Sequence, residues 1–312
     1  MENLNKIKII YWGTSYFSAE ILTSLIDGGF KPVGIITQID KPAGRGSKLK
    51  SPEVKAIADR LSIPCFQPEK LKDPIFIKQI KELSPDLFVV VSYGKIIPKE
   101  VLDIPSLGTI NVHPSYLPRW RGPSPIQSAI LNGDKEIGTT IMLLDEEMDH
   151  GPILANLKIN DDVSNLSYKD LEKILIKESS KLLLETLPKW INGQIKPIPQ
   201  DDTQATYCHI IKKDDGKIDW NEPIEVIDRK IRALNPWPGT YFEINGGKKF
   251  KILEAQISQE KDDEGKNGEF FCANKQLLVK CKNGVLMIKN IQPESRNPID
   301  GYGFWCGYQN KL

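Results

Sequence analysis

Asn111, His113 and Asp149 are the residues whose types and spacing could carry a reaction. An Asn offers neutral N–H donors suited to a developing oxyanion, a His exchanges a proton near neutral pH, and an Asp can orient an imidazole or balance its charge. No neighbouring side chain is an obvious covalent nucleophile. Ser115 lies in no Gly-x-Ser-x-Gly elbow, and no Cys stands close to His113 in the chain. These residues therefore suit direct attack by a substrate nucleophile on a carbonyl carbon, with the protein managing protons and the tetrahedral oxyanion. That is acyl transfer without an acyl-enzyme. Asp149 taken alone reads equally well as a turn residue before Gly151, and His150 and His209 read as structural.

Positioning these side chains requires a strand end. Residues 107–113 start at a Gly-containing turn and continue in β-branched residues, which predicts a short buried strand. Asn111 and His113 are two apart and so share a face of it. Pro114 cannot donate to a ladder and biases His113 to extended backbone, so both side chains fall where strand gives way to loop. Ligands bind at that end of open α/β sheets. Arg119-Trp-Arg121 follows in a Pro- and Gly-bounded loop; it could be plain surface, but loops at sheet ends carry function disproportionately.

Apolar runs at 7–11, 33–37, 87–92 and 109–112 alternate with helical periodicity at 17–26, 54–61 and 74–83. The alternation predicts a doubly wound, mostly parallel, Rossmann-like α/β sheet. The turn Trp12-Gly-Thr-Ser15 lacks the further glycines of a dinucleotide fingerprint, which weighs against a nicotinamide oxidoreductase. Helical spacing recurs over 171–187, and a Pro-rich polar stretch at 194–204 reads as a linker. The domains expected are 1–190, a linker 191–206, and 207–312.

In the last of these, Ile224, Ile227, Ile231 and Leu234 mark a helix. Short strands are expected at 239–244, 249–257, 269–273, 277–281 and 285–291, with hairpin turns at Asn245-Gly246 and Asn283-Gly284. Five strands with a helix suggest a small barrel of the oligonucleotide-binding (OB) type. The net charge of +1 does not itself indicate nucleic acid. Locally, Arg229, Lys230, Arg232, Lys248, Lys249 and Lys251 stand against Glu243 alone, and the Gly-rich basic stretch 41–50 has no strand or helix period and reads as a mobile loop. A solvated charged face is the plain alternative for each.

At 312 residues and 40% hydrophobic, the chain is ample for two domains. It has no apolar run of membrane-spanning length and opens almost directly into strand-like sequence, so a soluble, unexported, cytoplasmic protein with no membrane partner is expected. Its five Cys are dispersed, odd in number and without CxxC spacing, which reads as reduced thiols with no zinc or other metal site.

The residues around the site also resemble a known family. Asn111-Val-His113, Ser115-Tyr-Leu-Pro-Arg-Trp-Arg-Gly122, Pro125-Ile-Gln127 and Met148-Asp149 look like the signature of folate-dependent formyltransferases, most closely the branch that acts on methionyl-tRNA. Pro42-Ala-Gly-Arg-Gly46, Asp215-Gly-Lys-Ile-Asp-Trp220 and Arg232-Ala-Leu-Asn-Pro-Trp-Pro-Gly239 extend the match nearly end to end. The resemblance implies that Asn111, His113 and Asp149 are catalytic and that Ser115, Tyr116, Leu117 and Pro118 line a folate site. It implies 10-formyltetrahydrofolate as a formyl-donor co-substrate, with no permanently bound cofactor. It further implies methionyl-initiator tRNA as the acceptor, with Arg45 a contact and the second domain holding the tRNA, where the local basic residues Lys248 and Lys249 are the expected contacts. A monomer is expected.

Two features depart from the family pattern: the tail Pro298-Ile-Asp-Gly-Tyr-Gly-Phe-Trp-Cys-Gly307, and His150 where small residues are common. No role is carried over to either. Formyltransferases acting on an amino-sugar nucleotide or glycinamide ribonucleotide, and a formyl-folate hydrolase, share the Asn-x-His and distant Asp. The segments at 215–220 and 234–239 favour the tRNA branch over the sugar branch. A tRNA-binding module with an inactive sheet domain is disfavoured by the presence of all three polar residues.

Overall fold

A computed structural model describes residues 7–43, 48–159, 163–244, 247–260 and 265–311. Arg45 and the Asn245-Gly246 turn lie outside the described residues. The chain forms two compact units, one of residues 1–125, 136–161 and 172–208, the other of residues 126–135, 162–171 and 209–312.

The first unit is built on β1 (Ile9–Gly13), α1 (Tyr16–Asp27), β2 (Gly34–Ile36), β3 (Lys41–Ala43), β4 (Lys48–Lys50), α2 (Glu53–Leu61), β5 (Cys65–Phe66), α3 (Pro74–Glu82), β6 (Leu87–Val91), α4 (Lys99–Leu102) and β7 (Thr109–His113). After α5 (Pro125–Asn132), which belongs mainly to the second unit, come β8 (Ile137–Leu143), β9 (Ile153–Ile159) and α6 (Tyr168–Ile191). The sheet runs β5-β2-β1-β6-β7-β8-β9. Its ladders are parallel from β5 to β7 and antiparallel across β7–β8 and β8–β9. The expected α/β architecture is thus present, with an antiparallel edge that helical and strand periodicity alone did not indicate.

Local chemistry explains the boundaries. Ser15 caps α1 by accepting from Ser18 N at 3.3 Å, and a Cβ on Gly13 would sit 1.8 Å from Ser18 Oγ, so only glycine lets β1 turn so tightly into the helix. Trp12, Phe76, Phe88 and Tyr93 pack edge-on or tilted beneath the sheet, beside Ile10, Ile36 and Ile80. The basic stretch at 41–50 corrects one expectation: Lys41–Ala43 and Lys48–Lys50 pair as an antiparallel ladder. Alternation was invisible there because Lys41, Pro42, Leu49 and Lys50 are all exposed, so no buried face marks these positions.

The second unit contains α7 (Ile224–Leu234), β10 (Thr240–Ile244), β11 (Lys248–Ile257), β12 (Phe270–Ala273), β13 (Gln276–Cys281), β14 (Gly284–Pro293), β15 (Ile299–Asp300) and α8 (Gly301–Tyr308). Its antiparallel sheet runs β10-β11-β14-β13-β12, with β15 paired to β14. A register shift in β11 bends the sheet, and Phe242 of β10 comes within 4.9 Å, ring to ring, of Phe270 of β12. The sheet therefore curls until its outer strands share one core.

Apolar residues of α7 at spacings of three and four face that core, together with Phe250, Leu286 and Ile288. The atypical tail belongs there too. Asp300 caps α8 through Gly303 N at 2.8 Å, and Phe304 and Tyr308 stack at 4.8 Å against Phe250.

Candidate active site

Asn111 and His113 stand on β7 and are both buried, and Asp149 lies on the loop between β8 and β9. The three converge. Asn111 Nδ2 donates to Asp149 Oδ1 at 3.3 Å, while Gly122 N donates to Asp149 Oδ2 at 2.8 Å. His113 Nδ1 faces the same Oδ2 at 3.6 Å, an electrostatic contact rather than a hydrogen bond. Its Nε2 lies 2.9 Å from Trp120 O, and since a carbonyl can only accept, Nε2 carries the proton.

The carboxylate thus holds an amide, a peptide N–H and one edge of an imidazole. Asn111 keeps a second N–H that Asp149 does not use, and His113 Nδ1 is turned toward the carboxylate. A free amide N–H beside a proton-exchanging ring is what a tetrahedral oxyanion and a transferred proton require.

Backbone geometry is tight around this cluster. Asp149 has φ +50° and Trp120 has φ +61°. A Cβ on Gly151 would lie 2.0 Å from Leu143 O, and one on Gly122 would lie 2.4 Å from Cys208 O. Both glycines are therefore fixed by close main-chain approach. Ser115 and Leu117 are buried, with Ser115 Oγ donating to Arg119 O at 2.6 Å and Leu117 N donating to Thr140 Oγ1 at 3.1 Å. Tyr116 and Pro118 are half-buried, and the Lys158 ammonium lies 5.4 Å from the Tyr116 ring centre.

A recess of about 660 Å³ opens alongside, bounded by Lys99, Leu102, Thr109, Leu143, Asp145 and His150 among others. It shares the 143–150 loop with Asp149 but is not lined by residues 115–118.

Of the two readings of its loop, plain surface does not fit Arg121. It is 2% exposed, donating to Gln200 Oε1 at 3.0 Å, to Asp202 Oδ1 at 2.7 Å and to the Tyr207 hydroxyl at 3.4 Å. A buried guanidinium is tolerated because acceptors surround it. The partners come from the stretch read as a linker, which is pinned to the site: Arg121 N donates to Thr206 O, Thr206 N to Pro118 O, and Cys208 N to Arg121 O. Gln200, Thr206 and Cys208 are thus site-building residues that the sequence did not reveal. Proline and polar composition describes a segment without regular structure, and says nothing of what its side chains reach.

His150 is tied rather than free. Its Nδ1 lies 2.7 Å from Asp145 Oδ2, and its Nε2 lies 3.6 Å from Asp202 Oδ2. The hydrogen bond to Asp145 raises its pKa above the ordinary histidine value; desolvation opposes this, and the charges of Asp145, Glu147 and Asp202 add to it. A raised folded pKa contributes stability that is fully present below the unfolded value of about 6.5 and lost as pH rises through the folded value. His150→Gln should therefore lower Tm by of the order of a degree or two below about pH 6, with the gap closing at alkaline pH. Thermal unfolding of both proteins across pH tests this, and a pH-independent gap contradicts it.

In the second unit, the basic cluster divides. Arg229 Nε donates to Leu131 O, Lys230 pairs with Glu222 at 3.0 Å, and Arg232 pairs with Asp228 at 2.8 Å, so the α7 cations are engaged within the unit. On β11, the Lys249 ammonium lies 4.7 Å from the Tyr241 ring centre and 3.5 Å from Glu243, and that of Lys248 lies 5.3 Å from the Tyr308 ring centre. Among the described residues, no group of three or more His, Cys, Asp or Glu could hold a metal, and no helix is long and apolar enough to cross a membrane.

Comparison with known proteins identifies the family. The formyl transferase family matches residues 5–187, and the formyl transferase C-terminal domain matches residues 210–309. A relative from Herpetosiphon aurantiacus, named methionyl-tRNA formyltransferase, is 40% identical over 293 residues, 94% of this chain and 95% of its own length. One of the same name from Thermodesulfovibrio yellowstonii is 40% identical over 299 residues, 96% and 95% of the two lengths. Among solved structures, HypX from Aquifex aeolicus in complex with tetrahydrofolic acid aligns with TM-score 0.67 at 17% identity, over 96% of this chain and 47% of that one. An N-formyltransferase from Helicobacter canadensis, in complex with folinic acid and dTDP-3-aminofucose, aligns with TM-score 0.66 at 19% identity, over 92% of this chain and 99% of that one.

Proposed function

Since the chain belongs to the formyl transferase family, matching it in both of its domains, we propose that it moves the formyl group of 10-formyltetrahydrofolate onto the α-amine of methionine carried by initiator tRNA, in translation initiation. The observation that carries this reading is the convergence of Asn111, His113 and Asp149 at the end of β7. The near-full-length identity to relatives named for methionyl-tRNA selects the acceptor.

The chemistry follows from the groups present. The amine attacks the formyl carbon, and the carbonyl electron pair moves onto oxygen, where the second Asn111 N–H is the available neutral donor and His113, once protonated at Nδ1, supplies positive charge. Collapse breaks the bond to the folate nitrogen, which leaves with a proton that began on the amine. His113 is the site residue whose ring can accept and return such a proton, and Asp149 lies where it balances the charged form.

Of residues Ser115 to Pro118, Tyr116 and Pro118 offer surface to the donor, while Ser115 and Leu117 brace the loop. The recess beside the 143–150 loop is of a size to take the rest of the folate. Lys248 and Lys249 of β11, with Arg45, supply phosphate contacts. The protein acts in the cytoplasm as a monomer.

The deciding experiment offers the protein 10-formyltetrahydrofolate with charged initiator tRNA or with an amino-sugar nucleotide. Formylation of the tRNA alone is expected, and preference for the sugar nucleotide would overturn the reading. Affinity for charged tRNA should fall with salt at a log–log slope of roughly −0.7 to −0.9 per phosphate contacted, with folate affinity almost unmoved. Arg45→Ala should weaken tRNA use without changing the folate Kd.

A further inference from the structure

Asp149 is held in the left-handed region by a brace that lies outside the three reacting residues. The Gln200 amide nitrogen donates to Asp149 O at 2.9 Å and to Gly151 O at 2.8 Å, the carbonyls on either side of His150. Its amide oxygen accepts from Arg121 Nε at 3.0 Å. Arginine only donates, so Arg121 dictates which end of the amide faces it and turns the NH₂ toward the loop. Arg121 is in turn fixed by Asp202, by Tyr207 and by its main-chain pairing with Thr206 and Cys208.

We propose that Gln200, oriented by Arg121, is a positioning residue for formyl transfer. It anchors the Asp149 backbone so that one carboxylate oxygen meets Asn111 Nδ2 and the other meets Gly122 N, which sets the distance from the carboxylate to His113. This inference rests on Asp149 being the carboxylate of the transfer site.

Misplacement of a reacting group by about 1 Å can cost roughly 10²-fold in rate. The test compares Gln200→Ala with Gln200→Glu, each made in the parent and in Asp149→Asn, with single-turnover rates, both KM values and Tm recorded. The Glu variant is nearly isosteric and still accepts from Arg121 but cannot donate to the two carbonyls, so it carries the test if the Ala variant fails to fold.

In the parent background, kcat should fall about 10- to 100-fold in both variants while KM for each substrate stays within about twofold. In Asp149→Asn the same changes should have almost no further effect, because misplacing a disabled side chain loses nothing more. A merely structural Gln200 would impose the same factor in both backgrounds. That result, or Gln200→Glu turnover within about twofold of the parent, overturns the proposal. Normal turnover by Asp149→Asn alone would instead remove the transfer-site reading and this inference with it.

Discussion

Replacing His113 with Ala lowers kcat by roughly 10²–10⁴ while the fold persists. The fold should survive because the strand is held by its main chain: His113 pairs with Thr140, and Asn111 with Met142, in the β7–β8 ladder. The polar contacts of the imidazole are Trp120 O and the Asp149 carboxylate, neither of which belongs to the ladder. What is lost is the proton-exchanging ring beside the carboxylate. Asn111→Ala removes the neutral donor on the same face and should fall in the same range. Saturating turnover measurements paired with thermal unfolding check both. A folded His113→Ala protein with near-normal turnover would take His113 out of the chemistry.

Asp149→Asn should be comparably severe, lowering kcat by roughly 10²–10⁴. Both carboxylate oxygens accept, one from Asn111 Nδ2 and the other from Gly122 N. An asparagine must turn its own NH₂ toward one of those donors, so one donor–donor contact is unavoidable. If the amide rotates to avoid Asn111, it breaks the bond from Gly122 and presents N–H groups to His113. The negative charge that would balance an imidazolium is lost in either orientation. The kcat and its pH profile are the readouts, and an unchanged rate and profile would make Asp149 a structural turn residue.

Much of the architecture could be read in the chain because it is written in local periodicity. The β1, β2, β6 and β7 strands, the first three helices and the α7 stripe lie where apolar spacing put them. Asn111 and His113 were legible for the same reason, being two apart on a strand that ends at Pro114. The antiparallel edge was not: residues 137–143 are buried almost throughout, so no polar alternation marks β8. Nor was the brace. Gln200 contacts carbonyls 49 and 51 residues away, and Arg121 contacts a carboxylate 81 residues away. Pairings at such separations are set by the tertiary fold, and no local window contains them. His150 is a mixed case, since its type was visible but its tie to Asp145 depends on a loop conformation.

The pinning of the 198–208 stretch also says something about time. Ile198 bridges to Ile153, Thr206 to Pro118, and Cys208 to Arg121, each across a long excursion of chain. Closing such loops is entropically slower than forming the β1–β2 and β6–β7 pairs, whose partners Ile10 and Gly34, and Phe88 and Thr109, stand much nearer in sequence. A refolding molecule can therefore hold the β6–β7 pair, with Asn111 and His113 already on their strand, before Gln200 and Arg121 lock the loop that presents Asp149. Turnover would return after most of the backbone signal has levelled, and the interval between them is the docking time of a segment that contributes only one short 3₁₀ turn, Asp202–Gln204, and no long strand of its own.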